Sequence, residues 1–286
     1  MRHWLPTVRL AYIISAYKNL DQLARLVRRL ERPGDAVLVH VDRKTDDREF
    51  AAFARGVAHL PDVHLLERHA CHWGGFGHVR ATLKGIDELQ RRRIGFDYAV
   101  LLTGQDYPIK PTELIHGFLT SNSDKSFMAH SPLPSPWWSP RGGLDRIEYR
   151  HWRSHGRHFR LPLKRSFPAG LRPYGGGAYW CLSRECIVLV KDFVAARPDV
   201  VRFFKRVDIP DEIFFQTVIM NSPLSSTVVN DNLRYIDWTR GVGPAILGTG
   251  DFQALKESPK LFARKFDVNR DERILDLIDA ELLSAA

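Results

Sequence analysis

The sequence predicts an α/β protein whose central sheet is mostly parallel and covered by helices, and two observations carry that expectation. Strand-like apolar runs alternate with stretches of helical period through residues 9–102, and breakers such as Pro33-Gly34 separate them. The helical stretches are long enough to serve as the crossovers that parallel strands require. In order, residues 9–15 (RLAYIIS) read as a first strand. Residues 20–30 place Leu20, Leu23, Leu26, Val27 and Leu30 at helical spacing, and residues 36–41 (AVLVHV) form a second strand ending at Asp42. A helix over 47–58, a strand over 63–66, a helix over 77–92 and a strand over 98–102 continue the pattern. Ligands of such sheets sit beyond the carboxyl ends of the strands, here Ser15, Asp42 and residues 103–106.

The second part of the chain is less regular. Residues 131–174 hold seven prolines, the pair Gly142-Gly143, and Trp137, Trp138 and Trp152 among many arginines, so long loops with one short helix are expected. Regularity returns with a strand over 177–182 and a helix over 184–197 begun by Ser183. A helix over 210–220, a short strand at 227–229, a loop over 241–250 and a terminal helix over 271–283 follow. Neither an internal repeat nor a low-complexity linker is visible.

Composition limits the function classes. The chain has 286 residues, 44% apolar and 26% charged, which is the balance of an ordinary globular protein and enough to bury a sizeable core. No apolar run approaches the length of a membrane span, and the N-terminus lacks a leader-like apolar core followed by small residues. Three cysteines, an odd number, make no disulfide framework and suit a reducing compartment. Lysine and arginine exceed aspartate and glutamate by 42 to 33, and the excess is densest over residues 141–172. Such a surplus reads either as solvated surface or as a sign of phosphate-bearing partners. No helix-turn-helix, zinc-finger or RNA-recognition signature accompanies it, so no nucleic-acid partner is expected. Walker A, Gly-x-Gly-x-x-Gly, Gly-x-Ser-x-Gly and zinc-type His or Cys spacings are all missing.

Five segments are polar enough to carry chemistry. Asp42, in HVDRK, ends a buried strand where a carboxylate can accept from a ribose or base, or can simply form an Asx-turn. Trp73-Gly74-Gly75, ahead of a helix start at Gly77, offers backbone amides to a nucleotide. Gln105 and Asp106 follow a strand directly and face the crevice or make a structural turn. Asp211 and Glu212, behind Pro210, are either favourable helix-start residues or a general base held against a dry core. In LFARKFD, Arg264 and Lys265 lie between aromatic residues, and Arg234 and Arg240 flank Trp238; each set is either snorkelling surface or an anion clamp.

Taken in order, these segments resemble the core-2/I-branching β-1,6-N-acetylglucosaminyltransferase family, which includes the peptide O-xylosyltransferases. The matching stretches are residues 11–30, 40–45, 72–83, 96–119 (FDYAVLLTGQDYPIKPTELIHGFL), 176–190 (GGAYWCLSRECIVLV), 210–223 (PDEIFFQTVIMNSP), 230–240 (NDNLRYIDWTR) and 261–268 (LFARKFDV). The resemblance implies a GT-A-like, Rossmann-like fold and inverting transfer from a UDP-sugar without a metal ion or other cofactor. It places Ile14, Asp42, Trp73, Gly74 and Gly75 at the uridine, and Lys265 and Arg240 at the diphosphate. It makes Glu212 the base, as in the branching enzymes; the xylosyltransferase branch relies on an aspartate near the position of Asn230 here, with Asp231 beside it. Asp211 and Asp106, from the segments above, are the further candidate acids. Gln105 and the tryptophans Trp137, Trp138 and Trp152 then form the substrate side, since sugar faces stack on aromatic rings; core packing is the other reading of the tryptophans.

The expectation is therefore one glycosyltransferase domain over 1–286, with a nucleotide-binding half (1–125) and an acceptor-binding and catalytic half (126–286). The donor is expected to be UDP-N-acetylglucosamine, with UDP-xylose as the alternative, and the acceptor a glycan or glycosylated small molecule. A non-catalytic polyanion-binding module and a glycoside hydrolase using Asp106 and Glu212 are the rival readings. Without the anchor and disulfides of the family's animal Golgi members, the chain resembles a bacterial cytoplasmic form, with a peripheral place at the inner membrane also expected.

Overall fold

The computed structural model describes residues 8–284 except 139, 155–156 and 242. Residues 1–7, part of the stretch read for a leader, lie outside the described residues. The alternation of the first hundred residues appears as β1 (Leu10–Ala16), α1 (Leu20–Leu30), β2 (Ala36–Val41), α2 (Asp47–Val57), β3 (Val63–Leu65), α3 (Gly77–Arg91) and β4 (Tyr98–Thr103). Then come β5 (Asp106–Pro108), α4 (Thr112–Thr120), β6 (Ser126–Met128), β7 (Ser131–Pro132), α5 (Leu144–Glu148), β8 (Arg150–Ser154), β9 (Arg157–Leu161) and β10 (Tyr174–Gly175). The chain closes with β11 (Trp180–Ser183), α6 (Arg184–Ala196), α7 (Pro198–Phe204), α8 (Phe214–Met220), β12 (Val228–Val229), β13 (Arg234–Ile236), α9 (Phe252–Glu257), β14 (Phe262–Arg264) and α10 (Arg273–Glu281).

Seven strands form the main sheet in the order β12-β6-β11-β4-β1-β2-β3, and all run the same way except β11, which is antiparallel to both neighbours. As the sequence predicts, helices cover both faces, and the two-residue period of the strands sorts the core between them. Leu10, Tyr12 and Ile14 of β1 point into one cluster with α1, α2, α4 and α10; Ala11 and Ile13 point into the other with α3, α6, α7 and α8. On the second face α3 lies so close that a Cβ on Gly85 would come within 2.7 Å of Ile13 Cγ2, so glycine is required there.

The sequence pattern does not show the second sheet, β13-β14-β5, which folds the C-terminal part back onto the strand following β4. β14 pairs antiparallel with β5, setting Arg264 opposite Asp106. The structure here corrects the reading of Asp106 as a catalytic acid. Its side chain is fully buried, its Oδ2 accepts from the Thr103 amide (2.8 Å) and hydroxyl (2.5 Å), and its Oδ1 lies 3.7 Å from Arg264 Nε and 4.0 Å from Arg234 Nε. Arg234 is fully buried as well and donates to the carbonyls of Leu101 (2.6 Å) and Asn232. A charged guanidinium at this depth depends on the carboxylate beside it. Asp106→Asn, which keeps the volume and removes the charge, is expected to cost about 3 kcal/mol or more in unfolding free energy, read as a lowered denaturant midpoint. An unchanged midpoint would return Asp106 to the list of solvent-facing acids.

Candidate active site

The carboxyl ends of β1, β2 and β4 open on one side of the sheet, and the predicted site residues distribute around them unequally. Ile14 is corrected first. Its side chain is fully buried in the core and its backbone is paired to β2 and β4, so it shapes the floor rather than meeting a ligand. Asp42 ends β2 almost buried, and its carboxylate clasps the amides of Lys44 (2.9 Å) and Cys71 (3.3 Å). That clasp orders the loop carrying Trp73, Gly74 and Gly75. Gly74 sits at φ +69, a left-handed conformation that favours glycine, and a Cβ on it would also push against the Arg153 guanidinium at 2.7 Å. Trp73 is exposed, with the Arg153 guanidinium 4.7 Å from its ring centre.

Beneath this loop, His40 Nε2 lies 3.0 Å from His69 Nδ1, and the other ring nitrogen of His69 is 2.9 Å from the Gly77 carbonyl. With Cys71 these residues form one of two groups, among the described residues, whose spacing suits a metal. Burial pushes His40 down to about 4 and the Cys71 thiol up to about 12, so at neutral pH the group is an uncharged strut under Asp42. The other group is His151, His158 and Asp208. There Arg153 already holds Asp208 at 2.7 Å, and Lys205 and Arg206 line the adjoining cavity of about 180 Å³, a setting that repels a divalent cation.

Asp211 and Glu212 do not begin α8, as the helix predicted over 210–220 would have it. They occupy a separate 3-10 turn, Pro210–Glu212, set off by a kink at Ile213. Ile209 ahead of it holds φ +50, a left-handed conformation that a β-branched residue adopts only when its surroundings enforce it. The enforcing contact is the bond from the Ile209 amide to the Gly74 carbonyl at 2.9 Å, which ties the acid turn to the glycine loop. Glu212 is held by Arg146 Nη1 at 2.7 Å, and that guanidinium rests 4.2 Å from the ring centre of Trp138. Asp211 Oδ1 is buried with no hydrogen-bond partner among the described residues. Desolvation raises Asp211 from 3.8 to about 6. Burial also raises Glu212, against the opposing pull of Arg146.

Arg264, whose charge acts on Glu212, belongs to a group of basic residues with Lys265 and Lys18. Burial, Arg264 and Lys18 push the Lys265 ammonium down and Asp267 pulls it back up, while Asp267 itself pairs with Lys18 at 2.6 Å. Arg264 stacks 4.2 Å from the ring centre of Tyr179, and its Nε is buried without a hydrogen-bond partner among the described residues. Gln105 braces the cluster from below, donating to the Phe266 carbonyl (3.2 Å) and accepting from the Tyr17 hydroxyl (3.4 Å). Arg240 fits less well than the sequence implies. It is exposed, and its Nε and Nη2 are already committed to Asp237 (2.6 Å) and Asp251 (2.7 Å). Asp231, the alternative base, is likewise committed, to Lys260 at 2.6 Å.

Of the three tryptophans, only Trp138 reaches the acid pair, through Arg146. Trp137 is exposed, and Trp152 stacks on Phe159 with ring centres 5.4 Å apart. Sequence reasoning offered Arg264 only as one reading of the LFARKFD segment and did not assign Arg146, Tyr179 or Lys18 to the site, although Tyr179 stands in GGAYWCLS and Lys18 in the matching stretch 11–30.

Residues 10–256 match the family model described as Core-2/I-Branching enzyme. Xylosyltransferase 2 of Rattus norvegicus and of Homo sapiens are each 29% identical over 302 residues, covering 97% of this chain and 34% of the relative. The N-acetyllactosaminide beta-1,6-N-acetylglucosaminyl-transferase of Mus musculus is 28% identical over 299 residues, covering 96% of this chain and 72% of that protein. The chain thus spans about a third of the length of the xylosyltransferases it matches. Among solved structures, that of S. aureus TarS is a weak likeness, with TM-score 0.36 and 12% identity over 70% of this chain and 55% of that one.

The raised pKa of Asp211 has a stability consequence with a definite sign. A folded-state value above the unfolded one means that ionisation opposes folding, so the stability present at low pH is lost as pH rises through about 6. Asp211→Asn is therefore expected to stabilise the protein at pH 8 by about 2 kcal/mol, and to have little effect below about pH 4. Denaturant midpoints of both forms at the two pH values check this.

Proposed function

This chain belongs to the core-2/I-branching enzyme family, and from that premise we propose that it transfers a sugar from a UDP-sugar to a hydroxyl of a glycan or small-molecule acceptor. N-acetylglucosamine is the first choice of donor sugar, and the mechanism is a single inverting displacement with no metal ion at the diphosphate. The observation that carries this reading is Glu212, held by Arg146 at 2.7 Å on a turn tied to the glycine loop and within the electrostatic reach of Arg264, the residue before Lys265.

Glu212 accepts the proton of the acceptor hydroxyl as that oxygen bonds to the anomeric carbon, and the bond from that carbon to the UDP oxygen breaks with its electron pair leaving on UDP. Arg146 fixes the carboxylate and opposes the upward push of burial on it. The charge growing on the departing diphosphate is met by Lys265 and Arg264, in positions where a metal-dependent transferase would use a divalent ion. Partial desolvation of these cations strengthens their pull on an arriving anion. Arg240 serves this role only if it exchanges Asp237 or Asp251 for phosphate. The acceptor lies on the Trp138 and Arg146 side, and Asp42 with the Trp73–Gly75 turn lies on the uridine side.

UDP-xylose is the second reading, favoured by the 29% identity to xylosyltransferases. In this wider account the protein acts in the cytoplasm and is not a nucleic-acid binder.

Glu212→Gln is expected to lower turnover at least about 10³-fold while UDP binding by calorimetry stays within about twofold. Turnover within a few fold of wild type would remove Glu212 as the base. Lys265→Ala is expected to lower kcat about 10²–10³-fold, and added EDTA to leave the rate unchanged; a strict manganese requirement would overturn the role given to the cations. Slow hydrolysis of UDP-N-acetylglucosamine against UDP-xylose decides the donor.

A further inference from the structure

Residues 149–172 contain seven arginines and lysines and not one aspartate or glutamate, in a chain whose whole net charge is +9. Most of this stretch is the hairpin β8–β9 and the segment after it, which lies outside the two larger sheets. The register pairs Arg150 with Leu161 and Trp152 with Phe159, and the two-residue period puts these side chains with Arg157 on one face. The opposite face, with His151 and Arg153, turns toward the body of the protein: His151 is buried and Arg153 pairs with Asp208. The outward face is unusual for a soluble surface. The stacked Trp152 and Phe159 are 40% and 38% exposed, and Leu163 just beyond is 68% exposed. On this face, among the described residues, Arg150 and Arg157 pair with no carboxylate, while Arg160, opposite His151 on the other face, stacks 4.9 Å from the ring centre of Tyr149.

The hairpin is anchored rather than loose. Arg165 at its base donates to the carbonyls of Ile147, Phe203 and Arg206, and the His151 amide donates to the Arg206 carbonyl at 2.8 Å. A rigid face carrying unpaired guanidiniums around a patch of exposed aromatic and aliphatic groups fits a partner that is anionic at its surface and apolar just beneath.

We propose that the outward face of the β8–β9 hairpin docks on an anionic lipid membrane. Arginines attract the headgroup layer, and Trp152, Phe159 and Leu163 enter the boundary between headgroups and acyl chains, where amphipathic aromatic rings are favoured. A soluble polyanion would satisfy the arginines and leave the apolar groups in water, which is why the lipid surface is the better fit. The proposal rests on the hairpin alone and stands whether or not the reaction assigned above is correct.

Co-sedimentation with vesicles tests it. At about 0.1 M salt the protein is expected to bind vesicles containing about 30% phosphatidylglycerol and not vesicles of pure phosphatidylcholine, with binding lost as salt is raised. The double variant Arg150→Glu/Arg157→Glu should weaken partition at least about tenfold. Phe159→Ser/Leu163→Ser should weaken it several-fold while leaving binding to dextran sulfate unchanged. All four side chains are exposed, and an unchanged melting temperature and unchanged far-ultraviolet circular dichroism confirm that the variants fold. Equal partition onto neutral vesicles would overturn the proposal. So would vesicle binding indifferent to Phe159→Ser/Leu163→Ser, which would make the face a site for soluble polyanions.

Discussion

The buried carboxylate of Asp106 is the constraint on which the arrangement of the site depends. It sits where β4 ends, accepts two bonds from Thr103, and draws in Arg234 from β13 and Arg264 from β14. Without a negative charge there, two guanidiniums would be buried beside each other and the small sheet would have no reason to close on β5. Because it does close, Lys265 is delivered to the crevice at the end of the main sheet, more than one hundred and fifty residues away in sequence from the strands that form that crevice. The Asp106 contact to each arginine is longer than a hydrogen bond, so it works by charge more than by directed bonding. Arg234 has two carbonyls to donate to; Arg264 leans instead on the face of Tyr179.

The acid turn is built on a different principle. Its position is enforced by backbone, through the left-handed Ile209 and its bond to Gly74, and its chemistry by desolvation. The same Gly74 that presses against Arg153 therefore also places Glu212. A substitution in the glycine loop would disturb that loop and the acid turn together. This coupling explains how a short polar segment can be held rigid with few side-chain bonds of its own.

Sequence reasoning reached the elements of residues 9–102 closely, because both periods are clean there: α1 and β2 fall on the predicted bounds, and β1 and α3 differ by one residue at their ends. It missed α4, α7 and α9, and the strands β5, β6, β7, β10, β13 and β14, whose runs are too short to show a period; over residues 131–174 it expected long loops with one short helix, which α5 supplies, and missed the β8–β9 hairpin. The alternation Trp152, Phe159, Leu161 was there to be seen, but arginines on both faces of the hairpin hid it. Within the site, the Glu212 and Lys265 segments were legible from residue type. The burial of Asp106 and the ion pairs that occupy Arg240 were not, since both depend on partners distant in the fold or in a loop without period.

The net charge divides into two populations with opposite environments, and this bears on how each meets a ligand. Lys265 and Arg264 are partly dehydrated, so their attraction for an anion is short-ranged, strong and little affected by salt. Arg150, Arg157 and Arg160 are hydrated and exposed, so theirs is long-ranged, weak per group and screened. A small anion that fits between partly dehydrated cations would select the first; an extended anionic surface would add up the second, because it can touch many at once. A single excess of positive residues in the sequence thus divides into two groups suited to ligands that differ in range, in salt dependence and in size.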